Sequence, residues 1–170
     1  MNTSFFHPRI ANGLLLCVSL LFIPLSTIAQ GSTEDGEKLI TTYFEQVWNQ
    51  GNLDVIEQVT PPVFILHYFG KPDTASYDEH KAVITYWRGA LPDYTLVLED
   101  VLTEGNKVAA RFSFTGTHKD TLLGIPPTGN TIRSTGMWMC NVENNLLQEC
   151  WEEYDIQSIM SQLRTSASEN

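Results

Sequence analysis

Residues 94–118 read YTLVLEDVLTEGNKVAARFSFTGTH, and the period of this stretch decides the fold. From Lys107 to His118, the residues Val108, Ala110, Phe112, Phe114, Gly116 and His118 point one way, while Arg111, Ser113, Thr115 and Thr117 point the other. Alternation of period two marks a strand with one buried face. Tyr94 to Leu102 is a second strand, and Glu104-Gly105-Asn106 between them carries the turn chemistry of a hairpin. Ile125-Pro126-Pro127-Thr128-Gly129 then turns the chain. Thr131 to Val142 and Leu146 to Asp155 read as a last hairpin around Asn144-Asn145, followed by a short helix over Ile156 to Leu163 and a frayed polar tail from Arg164 to Asn170.

Upstream of Asp93 the period is about 3.6. From Glu34 to Asn49, the residues Leu39, Ile40, Tyr43, Phe44, Val47 and Trp48 make one apolar stripe on a helix that Gly51 stops. Asn52 can cap a short second helix in which Leu53, Ile56 and Val59 share a face, and Pro61-Pro62 ends it. Val63 to Phe69 reads as a strand with Val63, Ile65, His67 and Phe69 on one face. Ser76-Tyr77-Asp78-Glu79 is a capping box. The helix it opens carries Ala82, Val83, Tyr86, Trp87 and Ala90 on one side, with His80 expected on the solvent side, before Pro92-Asp93 closes it. Helices gathered at the start and an antiparallel run after them predict an α+β fold. In it, a strongly curved sheet wraps the N-terminal helices and leaves a pocket between the layers.

The first residues stand apart from this pattern. A polar start carrying His7 and Arg9 leads into the apolar run Leu14 to Leu25, and Thr27-Ile28-Ala29 offers small residues where a signal peptidase cuts. A run of roughly a dozen residues falls short of the ~20 that span a bilayer as a helix. Residues 1–29 are therefore expected to be a secretory signal, 30–163 a single domain and 164–170 a tail, with the product secreted or periplasmic and off the membrane after cleavage. The whole chain carries a net charge of −10, and removing Arg9 with the signal makes it −10 − 1 = −11. Such a surface repels phosphate backbones, so nucleic acid is an improbable partner. Nothing in the pattern fixes the oligomeric state; a homo-oligomer stays open.

Cys140 and Cys150 remain after cleavage, in a compartment where disulfides persist. They flank the Asn144-Asn145 turn unequally. One extra residue in the loop would bring them opposite each other, whereas simple two-residue register sets Cys140 against Glu149. No Cys-x-x-Cys pair or helical His pair suggests a metal site.

Several stretches together carry a resemblance. They are Val47-Trp48-Asn49-Gln50-Gly51-Asn52, Leu91-Pro92-Asp93, Gly116-Thr117-His118, Gly124-Ile125-Pro126-Pro127-Thr128-Gly129, Glu149-x-Trp151-x-x-x-Asp155 and Ser161-Gln162-Leu163. In this order they resemble the SnoaL-like polyketide cyclases (ester cyclases) of the nuclear transport factor 2-like superfamily, over essentially the whole mature chain. The resemblance implies an α+β cone with a central pocket and an intramolecular aldol ring closure without a cofactor. It also implies an aspartate general acid/base near the end of the last strand, matched by Asp155. One hairpin departs from the family, with Asn141 and Asn144-Asn145 where an arginine and an Asp-Gly turn are usual.

The residues themselves leave two roles open for Asp155. On unbroken alternation Glu149, Trp151, Glu153 and Asp155 share a face, and clustered carboxylates raise one another's pKa, as acid/base work requires. Asp155 also suits the cap of the terminal helix. His118, ending the apolar face of its strand, and His67 are the histidines placed to join Asp155. Trp87, Tyr43 and Trp138 are candidates for the pocket wall or for plain core. Two functions of different class follow. One is a cofactor-independent enzyme for aldol cyclisation, isomerisation or hydration of a small apolar carbonyl compound, with Asp155 and His118 catalytic. The other is a secreted, non-catalytic binding protein for a small hydrophobic ligand.

Overall fold

The computed structural model describes residues 33–68 and 70–164. Residues 1–32, Phe69 and residues 165–170 lie outside the described residues, as do the expectations of a signal segment and a frayed tail that rest on them. Among those described, no helix is long and apolar enough to cross a membrane.

Helix α1 (Thr33–Thr42) does not end at Thr42 but widens into a π-helical segment, Tyr43–Asn49. The apolar stripe continues through it, and Tyr43, Phe44, Val47 and Trp48 are all buried. A 3₁₀ turn (Leu53–Val55) and α2 (Ile56–Val59) follow, then β1 (Val63–Tyr68). A strand unforeseen in the sequence, β2 (Lys71–Ser76), folds back on β1 as an exposed edge. Its composition, KPDTAS, has no alternation to betray it. It is held by β1 through backbone pairing. The capping box is present as expected: Ser76 accepts from the Glu79 amide, Glu79 accepts from the Ser76 amide, and α3 (Tyr77–Ala90) starts there. Four strands follow, β3 (Thr95–Glu104), β4 (Lys107–Thr117), β5 (Thr131–Glu143) and β6 (Leu146–Tyr154), and then α4 (Ile156–Arg164).

The six strands form one open curved sheet in the order β2-β1-β6-β5-β4-β3. Every neighbouring pair is antiparallel except β1 and β6, which run parallel. The predicted α+β class with N-terminal helices against a curved sheet is what is found, with this one parallel pair added. Bulges break register at Leu98/Asp100 and at Asn141/Val142. Each adds a local bend and twist, which is how an open sheet acquires curvature.

The inner face is set by parity. On β4 the buried residues are Val108, Ala110, Phe112, Phe114 and Gly116, as the alternation required; on β5 they are Ile132, Gly136, Trp138, Cys140 and Val142. On β1 the inner set is Phe64 and Leu66, so the expected face of Val63, Ile65 and His67 is the outer one; Val63 is 62% exposed. In α3 the buried residues are His80, Ile84 and Ala90. Of the predicted stripe, Ala90 is buried and Trp87 half-buried, whereas Ala82 and Tyr86 face outward and Val83, itself exposed, edges the cleft. His80, Ile84, Trp87 and Leu91 stand at steps of four, three and four, a better helical seam, and a neutral imidazole is apolar enough to belong to it.

The second bulge settles the cysteines. Val142 pairs with Leu147 and Asn141 with Glu149, so Gln148 is the extra residue, and Cys140 then pairs with Cys150. The two are joined in a fully buried disulfide. The additional residue sits in the strand. The loop itself is the two-residue turn Asn144-Asn145, with both φ positive at 52° and 60°, a conformation asparagine tolerates and hairpins favour.

Candidate active site

Glu152 lies on the inner face of β6, two residues beyond Cys150. In register it stands beside Tyr68 on β1 and Trp138 on β5. Tyr154, the next inward residue, faces Gly136, whose missing side chain lets the Phe112 ring and the Glu153 carbonyl close in on the strand. The π-helical segment brings Phe44 and Trp48 over this floor, and α3 brings Trp87. Tyr94 and Phe114 close the far side, stacked at 5.2 Å. Trp48 lies 5.2 Å from Tyr94, and Trp87 meets Tyr154 edge-on at 6.3 Å. The result is a narrow aromatic cleft of about 40 Å³ in which Glu152 is the one carboxyl.

The electrostatics follow from that setting. Glu152 keeps some accessible surface, yet protein surrounds it. Burial pushes its carboxyl up to about 7, against a smaller downward pull from the buried Trp138 indole N–H and a small upward push from Glu153. That indole N–H makes no hydrogen bond of good geometry among the described residues, with Glu152 or any other group. Tyr68, Tyr94 and Tyr154 are raised well above the usual phenol range, first by burial and then by the Glu152 charge. They are therefore neutral hydrogen-bond donors near neutral pH. The cleft pairs one half-ionised carboxyl with several phenols, which is a working set for moving a proton to and from carbon. No group of three or more His, Cys, Asp or Glu able to hold a metal occurs among the described residues.

The residues singled out from the sequence are scattered by the fold. Asp155 is exposed and accepts the Ser158 amide at 2.9 Å as the cap of α4; it borders a groove on the outer sheet surface with Arg133, Ser134 and Thr135. Glu149, Trp151, Glu153 and Asp155 do share a side of the chain, but it is the outer one. His67 is there too, bonded to Glu149 at 2.8 Å and stacked on Trp151 at 4.8 Å. His118 is fully buried past the end of β4, where its Nδ1 accepts the Thr128 amide at 3.2 Å and meets Thr128 Oγ1 at 3.0 Å. Of the aromatic candidates, Trp87 lines the cleft, while Tyr43 and Trp138 stack at 5.0 Å behind it. The residues the sequence reading missed are Glu152, Tyr68, Tyr94, Tyr154 and Trp48. The signal for Glu152 was its parity with Cys150 once the two cysteines are opposed.

An open-sheet α+β domain with helices closing an aromatic cleft around one carboxyl is the class that fold and site define. The sequence pattern of the SnoaL-like polyketide cyclases matches residues 38–163, and the chain belongs to that family. Its membership supports a cofactor-independent, cyclase-type function. Among solved structures, one similar protein is provisionally named a polyketide cyclase, from Acidithiobacillus ferrooxidans. It is 25% identical, with a TM-score of 0.69 over 78% of this chain and 96% of that one. Another, so named from Bacillus cereus, is 26% identical with a TM-score of 0.62 over 80% and 87%. A SnoaL-like protein from Jannaschia sp. CCS1 shares the fold at 19% identity, with a TM-score of 0.71 over 81% and 95%. No curated protein matches.

Proposed function

We propose that this protein is an exported, cofactor-independent acid/base catalyst acting on a small apolar carbonyl compound, with Glu152 rather than Asp155 as the proton-transferring group. The observation that carries the reading is a single carboxyl held near neutrality inside an aromatic cleft, between Tyr68 and Trp138. Ionised Glu152 takes a proton from the carbon beside a carbonyl, and the C–H electron pair moves into an enolate. A neutral tyrosine of the cleft stabilises the enolate oxygen by donating its O–H. In an aldol closure the enolate carbon then attacks a second carbonyl of the same molecule, forming the new C–C bond. The resulting alkoxide takes the proton back from Glu152, which ends as it began. Isomerisation uses the first half of this sequence and reprotonates at another carbon. Asp155 is three residues further on, just past the end of β6 and in solvent, and its capping bond accounts for it.

Export is supported by the N-terminal run Leu14 to Leu25 and by the buried Cys140–Cys150 disulfide, which suits an oxidising compartment. Secreted protein should begin at or near Gln30; an intact Met1 in a membrane fraction would contradict this. The catalytic test is Glu152→Gln, which keeps shape and removes the titrating group. General acid/base catalysis typically supplies ~10²–10⁴ in rate, and turnover should fall by about that factor. Full turnover in Glu152→Gln refutes the assignment. Ligand retention with no turnover in either protein would favour the plain binding protein, which needs only the apolar walls.

A further inference from the structure

The inner face of the sheet continues past Glu152 toward its edge. Tyr68 stands beside Glu152 in register, and Leu66 beside Cys150. One strand further out, Phe64 pairs with Ala75 and Leu66 with Asp73, so the same face runs on across the β1–β2 hairpin. The start of α3 covers it there and leaves a second cavity of about 180 Å³, walled chiefly by Phe64, Leu66, Tyr68, Ala75, His80 and Val83. Tyr68 and Val83 line both this cavity and the Glu152 cleft.

The two spaces differ in what they can hold. A void needs ~10–15 Å³ to hold one water. The cleft, at about 40 Å³, therefore admits about three groups of that size, a carbonyl and the carbon beside it. It has no room for a ring. An apolar void of about 150 Å³ holds benzene, and the cavity beneath β2 exceeds that. Its walls are mostly aromatic and aliphatic. The His80 imidazole stacks on Phe64 at 5.1 Å, with Nε2 engaged by the Tyr43 hydroxyl at 2.7 Å and Nδ1 shut away from solvent, so it serves as wall and offers the cavity no hydrogen bond. Asp73 and Glu79 also border the space, both exposed and both already bonded locally, Asp73 to the Thr74 amide and Glu79 to Ser76. They repel a carboxylate or phosphate. Strands lie ~4.8 Å apart, and a space under β1 and β2 is about one and a half spacings, roughly 7 Å, from the strand that carries Glu152.

We propose that the cavity beneath β2 is the specificity subsite of the Glu152 cleft: the substrate is an elongated, uncharged ketone whose ring, or apolar group of ring size, fills this cavity while its reacting carbonyl lies at Glu152. This rests on the acid/base reading of Glu152. The substrate passes Tyr68 and Val83 on its way between the two spaces. Ala75, the smallest wall, sets the size of the group admitted.

Two ketones with the same reacting methyl test this: acetone, and 4-phenyl-2-butanone, whose ring stands three carbons from that methyl. Exchange of the methyl hydrogens in deuterium oxide, followed by proton NMR, reads removal of the proton beside the carbonyl. Burying a ring of phenylalanine size should favour the aryl ketone in kcat/KM by roughly 10–100-fold. In Ala75→Phe, which puts the protein's own ring into the cavity, that preference should be lost. Both ketones report on the same folded molecules, so a smaller folded fraction leaves their ratio unaltered. In wild type, where no variant needs to fold, nuclear Overhauser contacts should connect the ketone's ring protons with the Ala75 methyl. Exchange without preference in wild type, a preference that survives Ala75→Phe, or ring contacts absent at Ala75 overturns the proposal. Glu152→Gln separates the two readings. Exchange of both ketones lost there, with the ring contacts at Ala75 intact, upholds both. Exchange retained in Glu152→Gln, with preference and ring contacts intact, removes the Glu152 assignment and leaves the subsite standing.

Discussion

Glu152 and His80 make opposite demands on pH, and removing Glu152 should expose the one that remains. The Glu152 carboxyl sits at about 7 against an ordinary 4.5, a shift of 7 − 4.5 = 2.5, and each pKa unit is worth about 1.4 kcal/mol. The folded state holds this proton more tightly than the unfolded chain does. The stability it contributes is therefore fully present below pH 4.5 and is lost as pH rises to about 7, at most about 3 kcal/mol. Solvent at the cleft mouth makes that figure a ceiling. His80 sits at about 4 against an ordinary 6.5. It contributes stability above pH 6.5 that is lost as pH falls toward 4, of similar size. Between pH 4.5 and 6.5 the two slopes oppose each other, and wild type should be nearly flat on their account. Urea unfolding with the disulfide intact, from pH 4 to 8, measures this. Glu152→Gln should gain on wild type steadily from pH 4.5 to 7, reaching roughly 2–3 kcal/mol and then holding constant. Asp93, Glu79 and Glu45 are lowered by their hydrogen bonds and affect both proteins alike, so they cancel in the difference. A difference curve that changes by less than about 0.5 kcal/mol over this range refutes the burial of Glu152 as argued.

Asp155→Asn should leave turnover and melting temperature unchanged, whereas Asp155→Ala should cost about 1 kcal/mol through the lost cap on the Ser158 amide, read by denaturation. Gly136→Ala would set a Cβ 2.5 Å from Phe112 Cζ and 2.8 Å from the Glu153 carbonyl oxygen, the latter backbone that cannot swing aside. It should destabilise by about 1–3 kcal/mol or more and distort the cleft floor beside Tyr154, visible as a lowered melting temperature. Denatured, unreduced protein should titrate no free thiol at Cys140 or Cys150, and Cys140→Ser/Cys150→Ser should lose roughly 2–3 kcal/mol for a loop of this length.

Much of the fold was written locally. The period-two run from Val108 to Gly116, the asparagine turn, the Ser76–Glu79 capping box and the stripe from Leu39 to Trp48 each settle their own element through nearest-neighbour sterics and hydrogen bonds. These alone imply helices packed on the inner face of an antiparallel sheet. The family motifs were also legible, because their residue types and order survive without any geometry. What the chain does not declare locally is which side of an ambiguous strand turns inward. The mixed run from Glu149 to Asp155 has polar and aromatic residues on both sides, so its alternation is equally good either way. The choice is made by the bulge at Gln148, by the disulfide that ties Cys150 to an inward residue of β5, and by β1 arriving in parallel beside β6. A shift of one residue exchanges the faces, and it sends Glu152 into the cleft and Asp155 into solvent. Position His80 is another such case. An imidazole on the first turn of a helix looks solvent-facing until Tyr43, 37 residues earlier in the chain, supplies the hydroxyl that makes its burial affordable.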